Sequence, residues 1–474
     1  MSRPRDGQGL LPFEAEADES LSAVTAHGGL PLLIEAARAL GVDQACRHHL
    51  RIKQRRRGFD EAAMVESFIT LFGAGGECLD DFAALGADGG LARLLGRALP
   101  KPTAAREFIY AFHDAQLTTR PESAPKAWIP AESAALQQLH AVNVAAVHAL
   151  ASHLPEVREA TVDLDATIIA SRKREALPVY EGGRGYQPQL AVWAEAGVVV
   201  ADQFRDGNVP AEVDALAVVQ RAFAALPGQV ERRFFRADSA CYTHALLDWL
   251  RDEHRTDGPQ GFIGFAISAD MSPALAEHIA ALPPRAWHRY FPGRKDEHEE
   301  RFWAEVEFTP SDGPTRKDVQ PDRYLAVRVV PRQRDLFDAT REVKHFAIVS
   351  NRRDVRGDRL IEWHREKAGT IEAVHDVLKN ELGAGVMPCG RFGANAAWLR
   401  LNVLTFNVLA ALRRVALPPA LAQARPKRLR FKLFALAGRI VAHARQLVVR
   451  LGMTAADFAT FLAARRALRA AAFA

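Results

Sequence analysis

The strongest constraint on the fold is a change of period at Arg158. Before it, apolar residues recur at helical spacing; after it, they alternate. In the run Thr161-Val162-Asp163-Leu164-Asp165-Ala166-Thr167, Val162, Leu164 and Ala166 take one face and Asp163 and Asp165 the other, which is the two-residue period of a strand. Residues 190–194 and 198–204 are strand-like on either side of Glu195-Ala196-Gly197, a hairpin pattern. A helix over 212–226, a strand over 232–237, a helix over 244–253 and a strand over 262–268 follow. Three strands in succession, then helix, strand, helix, strand, make the class α/β.

That order is the order of an RNase H-like α/β core, expected over 133–269 as its first part and opened by a helix over 133–154. Residues 270–351 break the rhythm. Strand-like runs at 302–308, 324–330 and 346–350 lie between turns rich in Pro, Gly and charge, a β-rich insertion. Helices resume near 360, so 352–474 is expected to complete the core and end in a basic helical region.

Upstream, 1–20 is polar and is expected to be disordered, and 21–117 reads as an all-helical domain. Leu32, Leu33, Ala36, Ala37 and Leu40 precede a stop at Gly41, a helix over 59–72 precedes Gly73, and Lys101-Pro102-Thr103 opens a third with Thr103 as N-cap. Arg55, Arg56 and Arg57 between the first two helices, and Arg106 in the third, give this region the character of a DNA-binding domain; a helical packing module fits the same periodicity. Pro121, Pro125 and Pro130 mark 118–132 as a linker.

The net charge is only +5, but from residue 380 onward 15 Lys and Arg face two acids, Glu381 and Asp457. Such a tail suits a phosphate-bearing partner or a solvated helical face. Cys46, Cys78, Cys241 and Cys389 have no paired spacing, which argues against a zinc or disulfide framework and for a reducing, cytoplasmic compartment. The acidic N-terminus lacks the apolar segment of a signal peptide, and the apolar run 401–412 is too short to span a bilayer, so no membrane partner is expected. The cluster Gly182-Gly183-Arg184-Gly185 lacks the Gly-Lys-Ser/Thr of a phosphate-binding loop and reads as a turn between strands.

Three segments carry candidate chemistry. Two acids on one strand face repel unless a cation or solvent offsets them, so a divalent metal accounts for Asp163 and Asp165 beside apolar neighbours. Asp238 ends the strand over 232–237, where open α/β sheets bind ligands; it could equally cap the turn at Ser239. Ile371, Val374, Leu378 and Leu382 form the apolar stripe of a helix, with Glu372, Asp376 and Lys379 on a separate face. That face fits a salt-bridged helix as well as it fits catalysis.

Together these segments resemble the DDE transposases of bacterial insertion sequences, closest to the insertion-sequence-1380 group within the superfamily typified by insertion sequence 4. The matching stretches are Asp163-Leu164-Asp165-Ala166-Thr167, Arg205-Asp206-Gly207-Asn208, Arg236-Ala237-Asp238-Ser239, Gly369-Thr370-Ile371-Glu372 with Lys379 after it, and Arg391-Phe392-Gly393-Ala394-Asn395. The position four before Glu372, often Arg in the superfamily, is Ala368 here, with Arg365 and Lys367 nearby.

The resemblance implies that Asp165, Asp238 and Glu372 are the catalytic acids and, with Asp163 as neighbour, hold two Mg²⁺ ions, or Mn²⁺ in their place. It implies DNA as partner, both terminal inverted repeats and target. It further implies cut-and-paste movement by hydrolysis and 3′-OH attack, with a hairpin end as a variant. A homodimer to join two ends and a bacterial, nucleoid-associated cytoplasmic location are implied too. Lys379, Lys367, Arg365 and Arg391 would grip phosphates alongside the upstream arginines, with an ion pair to Asp376 or Glu372 as the other role for Lys379. Trp287 and Trp303 of the insertion read either as core residues or as rings for an extruded base. Two rival readings are a catalytically silent DNA-binding derivative and a nuclease that cuts without joining.

Overall fold

The computed structural model of the chain describes residues 5–6, 15–16, 23–53, 58–290, 299–310, 321–331, 342–443 and 446–472. A nine-stranded sheet runs through its middle. In chain order its strands are β1 (Glu159–Ala166), β2 (Gln189–Trp193), β3 (Val198–Gln203), β4 (Arg232–Ala237), β5 (Ile263–Ala269), β6 (His288–Tyr290), β7 (Glu299–Val306), β8 (Arg323–Pro331) and β9 (Lys344–Ser350). Across the sheet they run β6-β7-β8-β9-β5-β4-β1-β2-β3. β1, β4 and β5 are mutually parallel, and β1, β2 and β3 form an antiparallel meander turning at Gly197, whose φ of 69° few other residues adopt. Every residue of β2 and β3 is buried, which is why their sequences read as continuous apolar runs.

The helices that matter for the site are α1 (Glu61–Ala74), α2 (Ala134–Ser152), α3 (Ala215–Ala224), α4 (Gly357–Arg365), α5 (Lys367–Asn380) and α6 (Phe392–Ala411). α6 is buried on all sides, from Gly393 to Ala411. Its polar residues are spent on internal bonds: Asn407 accepts the Val199 N–H at 2.9 Å and donates to Asn143 Oδ1 of α2 at 2.8 Å. No described helix is long and apolar enough to cross a membrane.

Several expectations change on this frame. The strands of 270–351 continue the central sheet, because β9 pairs antiparallel with β5 and covers an edge that would otherwise be open. The C-terminal region is not wholly helical: Gly438–His443 and Gln446–Leu451 form a hairpin that adds Val24–Thr25 as a third strand. Alternating Ile440, Leu447 and Val449 supply its strand character. The N-terminal helices share their core with α6, where Phe68 and Phe72 meet Trp398 edge-on at 6.0 and 4.8 Å. Thr103 lies inside its helix; Pro102 opens it, with Lys101 as N-cap, because the fixed φ of proline suits the first helical position. Of the segment 1–20, the described residues Arg5–Asp6 and Ala15–Glu16 pair antiparallel, and the rest lies outside the described residues, as do Arg55, Arg56 and Arg57.

The proline-rich 118–132 ends in an anchor. Glu132 meets Arg400 of α6 at 2.8 Å and Arg221 of α3 at 2.9 Å, and Arg400 also meets Asp202 of β3 at 2.9 Å. Burial alone would push the Glu132 carboxyl up, but the two arginines outweigh it and hold it down at about 2. A depressed carboxylate contributes stability above its unfolded value and loses it as pH falls through its folded one. Urea midpoints should therefore drop as pH falls from about 4.5 to about 2, and Glu132→Gln should flatten that part of the profile.

Candidate active site

The site lies at the carboxyl ends of β1 and β4. Their parallel register sets Arg236 beside Asp163 and Ala237 beside Leu164. Side chains two apart share a face, so Asp165 and Asp238 follow on the same face as the Asp163–Arg236 pair. Asp238 keeps extended backbone (φ −81°, ψ −174°), and its side chain caps nothing in the short helical turn Ser239–Cys241. The capping role left open by the sequence is therefore unfilled.

The two acids of β1 have separate fates. Asp163 is completely buried, its oxygens taken by Arg236 Nε at 2.7 Å and Nη2 at 2.9 Å and by the Thr370 hydroxyl. Arg236 continues to the Trp363 carbonyl and to Glu366 at 3.1 Å, with its guanidinium 5.2 Å from the Trp363 ring. His364 is also buried; its Nε2 donates to the Ala237 carbonyl at 3.0 Å, and burial lowers its pKa to about 4, so it stays neutral. These contacts lock α4 and the start of α5 against the sheet, immediately beside Asp238.

Asp165, by contrast, is half-buried and accepts only the Ala166 N–H at 2.9 Å, with Lys367 Nζ at 3.8 Å. Burial pushes its carboxyl up to about 6; Lys367 opposes the rise, and the charges of Asp238 and Glu372 add to it. Both acids therefore lie close enough to act on Asp165. Neither the Asp238 nor the Glu372 carboxylate makes a hydrogen bond or ion pair with any described residue. The acids are not drawn together: among the described residues no three His, Cys, Asp or Glu side chains are arranged to hold a metal ion. Mutual repulsion spreads uncompensated carboxylates, and Lys367 is the nearest cation to Asp165.

α5 crosses this end of the sheet. Ile371, Val374, Val377 and Leu378 bury its inner face, which leaves Glu372 exposed at the side. Lys379 lies within roughly 20° of Glu372 around the helix. It donates to the Thr167 hydroxyl at 3.2 Å and to the Ile168 carbonyl at 2.9 Å, tying the helix to the chain leaving β1. Asp376 turns away to Arg425, so the face read as a possible salt-bridge ladder carries no Lys379 ion pair.

The other basic candidates are scattered. Burial raises the pKa of Tyr290, and Arg365 lies near enough to oppose that rise; Arg106 lies 3.7 Å from Asp80, and Arg391 stacks at 4.1 Å over Tyr110. Part of the basic tail serves the fold: Arg400 is buried in its ion pairs, and Arg430 donates to the Phe72 and Gly73 carbonyls at 3.0 Å. Trp303 is buried, and Arg328 covers the Trp287 ring at 3.8 Å, so neither presents a free face. Arg236, Thr370 and His364 were given no role by sequence reasoning. The signal for Arg236 was available: an arginine two before Asp238 matches the acid two before Asp165.

Residues 15–472 match the family described as "Transposase DDE domain group 1". No curated protein matches. Among solved structures, the cryo-EM structure of the piggyBac transposase synaptic complex with hairpin DNA is similar at 10% identity and a TM-score of 0.39, covering 80% of this chain and 72% of that one. With the family matched over nearly its whole length, the chain belongs to the DDE-domain transposases.

Proposed function

We propose that this transposase cuts DNA at the ends of a mobile element and joins the freed 3′-OH to a target, on an RNase H-like core made of β1 to β5 and α5. The observation that carries this reading is the contrast among four acids. Asp163 is consumed by Arg236 and Thr370, whereas Asp165 keeps only Lys367 at 3.8 Å and feels the charges of Asp238 and Glu372, whose carboxylates have no partner among the described residues. Asp163 is accordingly a positioning residue, not a metal ligand.

Mg²⁺ or Mn²⁺ prefers hard carboxylate oxygens, and Asp165, Asp238 and Glu372 would supply them once the ions draw the three acids together. Bound there, two ions would stabilise the attacking and leaving oxygens of an in-line displacement. The chain's own part is to hold the acids and place the DNA. Arg236 and His364 fix the strand end that carries Asp238, and Lys379 fixes α5 to the exit of β1. Lys367 would exchange Asp165 for a phosphate, and Arg365, Arg391 and Arg106 would extend the grip along the duplex.

The DNA would be the element's terminal inverted repeats and a target, handled by a homodimer in the nucleoid of a bacterium. The order of the matched motifs supports the insertion-sequence-1380 group. The test is a supercoiled plasmid carrying the repeats that flank the coding region, incubated with the purified protein and Mg²⁺. End cleavage with strand-transfer products is expected, and chelation should abolish both. Cleavage without joining would make it a nuclease; no reaction with Mg²⁺ or Mn²⁺ would make it a silent derivative.

A further inference from the structure

The chain leaves β1 just past Asp165 and does not return directly to β2. It first builds a three-stranded ribbon from Ile169–Ala170, Leu177–Pro178 and Arg184–Tyr186. The tip is a tight turn, Val179-Tyr180-Glu181-Gly182-Gly183, closed by the Gly182 N–H to the Val179 carbonyl at 3.0 Å and the Val179 N–H to the Gly183 carbonyl at 3.2 Å. Gly182 and Gly183 have φ of 94° and 80°, so the glycine cluster noted in the sequence is what lets the chain reverse here.

The ribbon is pinned at several points. The Gly207 N–H donates to the Gly185 carbonyl at 3.0 Å, and a Cβ on Gly207 would lie 2.6 Å from that oxygen and 2.5 Å from the Val179 side chain. Arg184 donates to the Ala176 and Arg174 carbonyls, both at 2.6 Å. The root is held by Lys379 through Thr167 and Ile168.

On this rigid support Tyr180 is 78% exposed. Its hydroxyl donates to Glu181 at 3.2 Å, and its ring is left to solvent. Burying a large aromatic ring is favourable, so a fixed ring held out in water has the form of a docking surface. The ribbon begins at Ile169, three residues after β1 ends, next to the strand end that carries Asp165. Arg172, Lys173 and Arg174 precede the turn in the ribbon and make no ion pair with any described residue, against the two acids of the same stretch, Glu175 and Glu181. A positive track with an exposed ring is the combination that holds single-stranded nucleic acid: cations follow the backbone and the ring stacks on a base.

We propose that this ribbon grips unpaired DNA beside the reacting phosphate, Tyr180 stacking on a splayed base while Arg172, Lys173 and Arg174 hold the same strand's phosphates. It rests on the transposase reading and adds a contact for the separated strand.

The experiment uses the full chain without divalent metal, a forked duplex bearing a fluorescent adenine analogue at the first unpaired position, and the fully paired duplex as control. Wild type should quench the analogue and favour the fork. Tyr180→Ala should lose the quench and bind the fork about tenfold more weakly, with little change on the paired duplex. Tyr180→Trp should keep both properties, which separates loss of a ring from loss of folding. An undiminished quench and fork affinity in Tyr180→Ala would overturn the proposal alone, while a wild type that binds neither DNA would overturn the transposase reading with it.

Discussion

Asp238→Asn is expected to leave the fold intact and remove DNA end cleavage. The Asp238 carboxylate has no partner among the described residues, so its replacement breaks no internal bond. It also relieves a like charge acting on Asp165, so the urea midpoint should stay level or rise slightly. Catalysis should respond differently, because metal-ligand carboxylates support several kcal/mol of transition-state stabilisation. A loss of about 4 kcal/mol is roughly a thousandfold in rate. Single-turnover cleavage of a plasmid bearing the terminal repeats measures the rate, and urea unfolding followed by circular dichroism measures stability. A variant cleaving at the wild-type rate would remove Asp238 from the catalytic set.

Arg236→Met should show the opposite division, with stability suffering first. Arg236 is 2% exposed and is the main counter-charge of a fully buried Asp163. Removing one member of such a pair strands the other charge in a low-dielectric interior, a cost of about 4 kcal/mol. Replacing both members by apolar residues of similar size removes the stranded charge, so Asp163→Leu with Arg236→Met should recover most of the lost stability. It should not recover activity. Arg236 also bonds the Trp363 carbonyl and Glu366, and Asp163 receives the Thr370 hydroxyl; these contacts set α4 and α5 at the mouth of the site. A double variant that is stable but slow would identify the pair as a positioning device. A double variant that is stable and fully active would show that the pair serves the fold alone.

Much of the sheet was legible in the sequence because its strands alternate cleanly or run apolar between turns. β4 occupies the stretch its pattern suggested, 232–237, and the turn at Gly197 falls where Glu195-Ala196-Gly197 placed it. The continuation of the sheet through β9 was not legible, since period reveals a strand but not its neighbour. The late hairpin at 438–451 was hidden by arginines and alanines that suit a helix equally. In the site, β1 declared two acids without saying which was spoken for. That distinction depends on the β1–β4 register, which brings Arg236 against Asp163 and leaves Asp165 one step further out. Glu372 could not be singled out from its helix, because an exposed glutamate beside a lysine has the same spacing in any solvated helix.

The pairing of Val24–Thr25 with the hairpin near the other end of the sequence has a consequence for synthesis. Helices formed early, such as α1, find their apolar partner only when α6 has emerged, and the third strand of their small sheet only after residues 438–451 have followed. Domains that close on themselves can fold one after another on the ribosome. This chain instead laces the strand at Val24–Thr25 to a hairpin more than 400 residues later, so a nascent product that stops short of that hairpin keeps these helices unsealed. Protease resistance across Pro31–Ala39 and α1 should therefore arise only with chains that extend past Leu451.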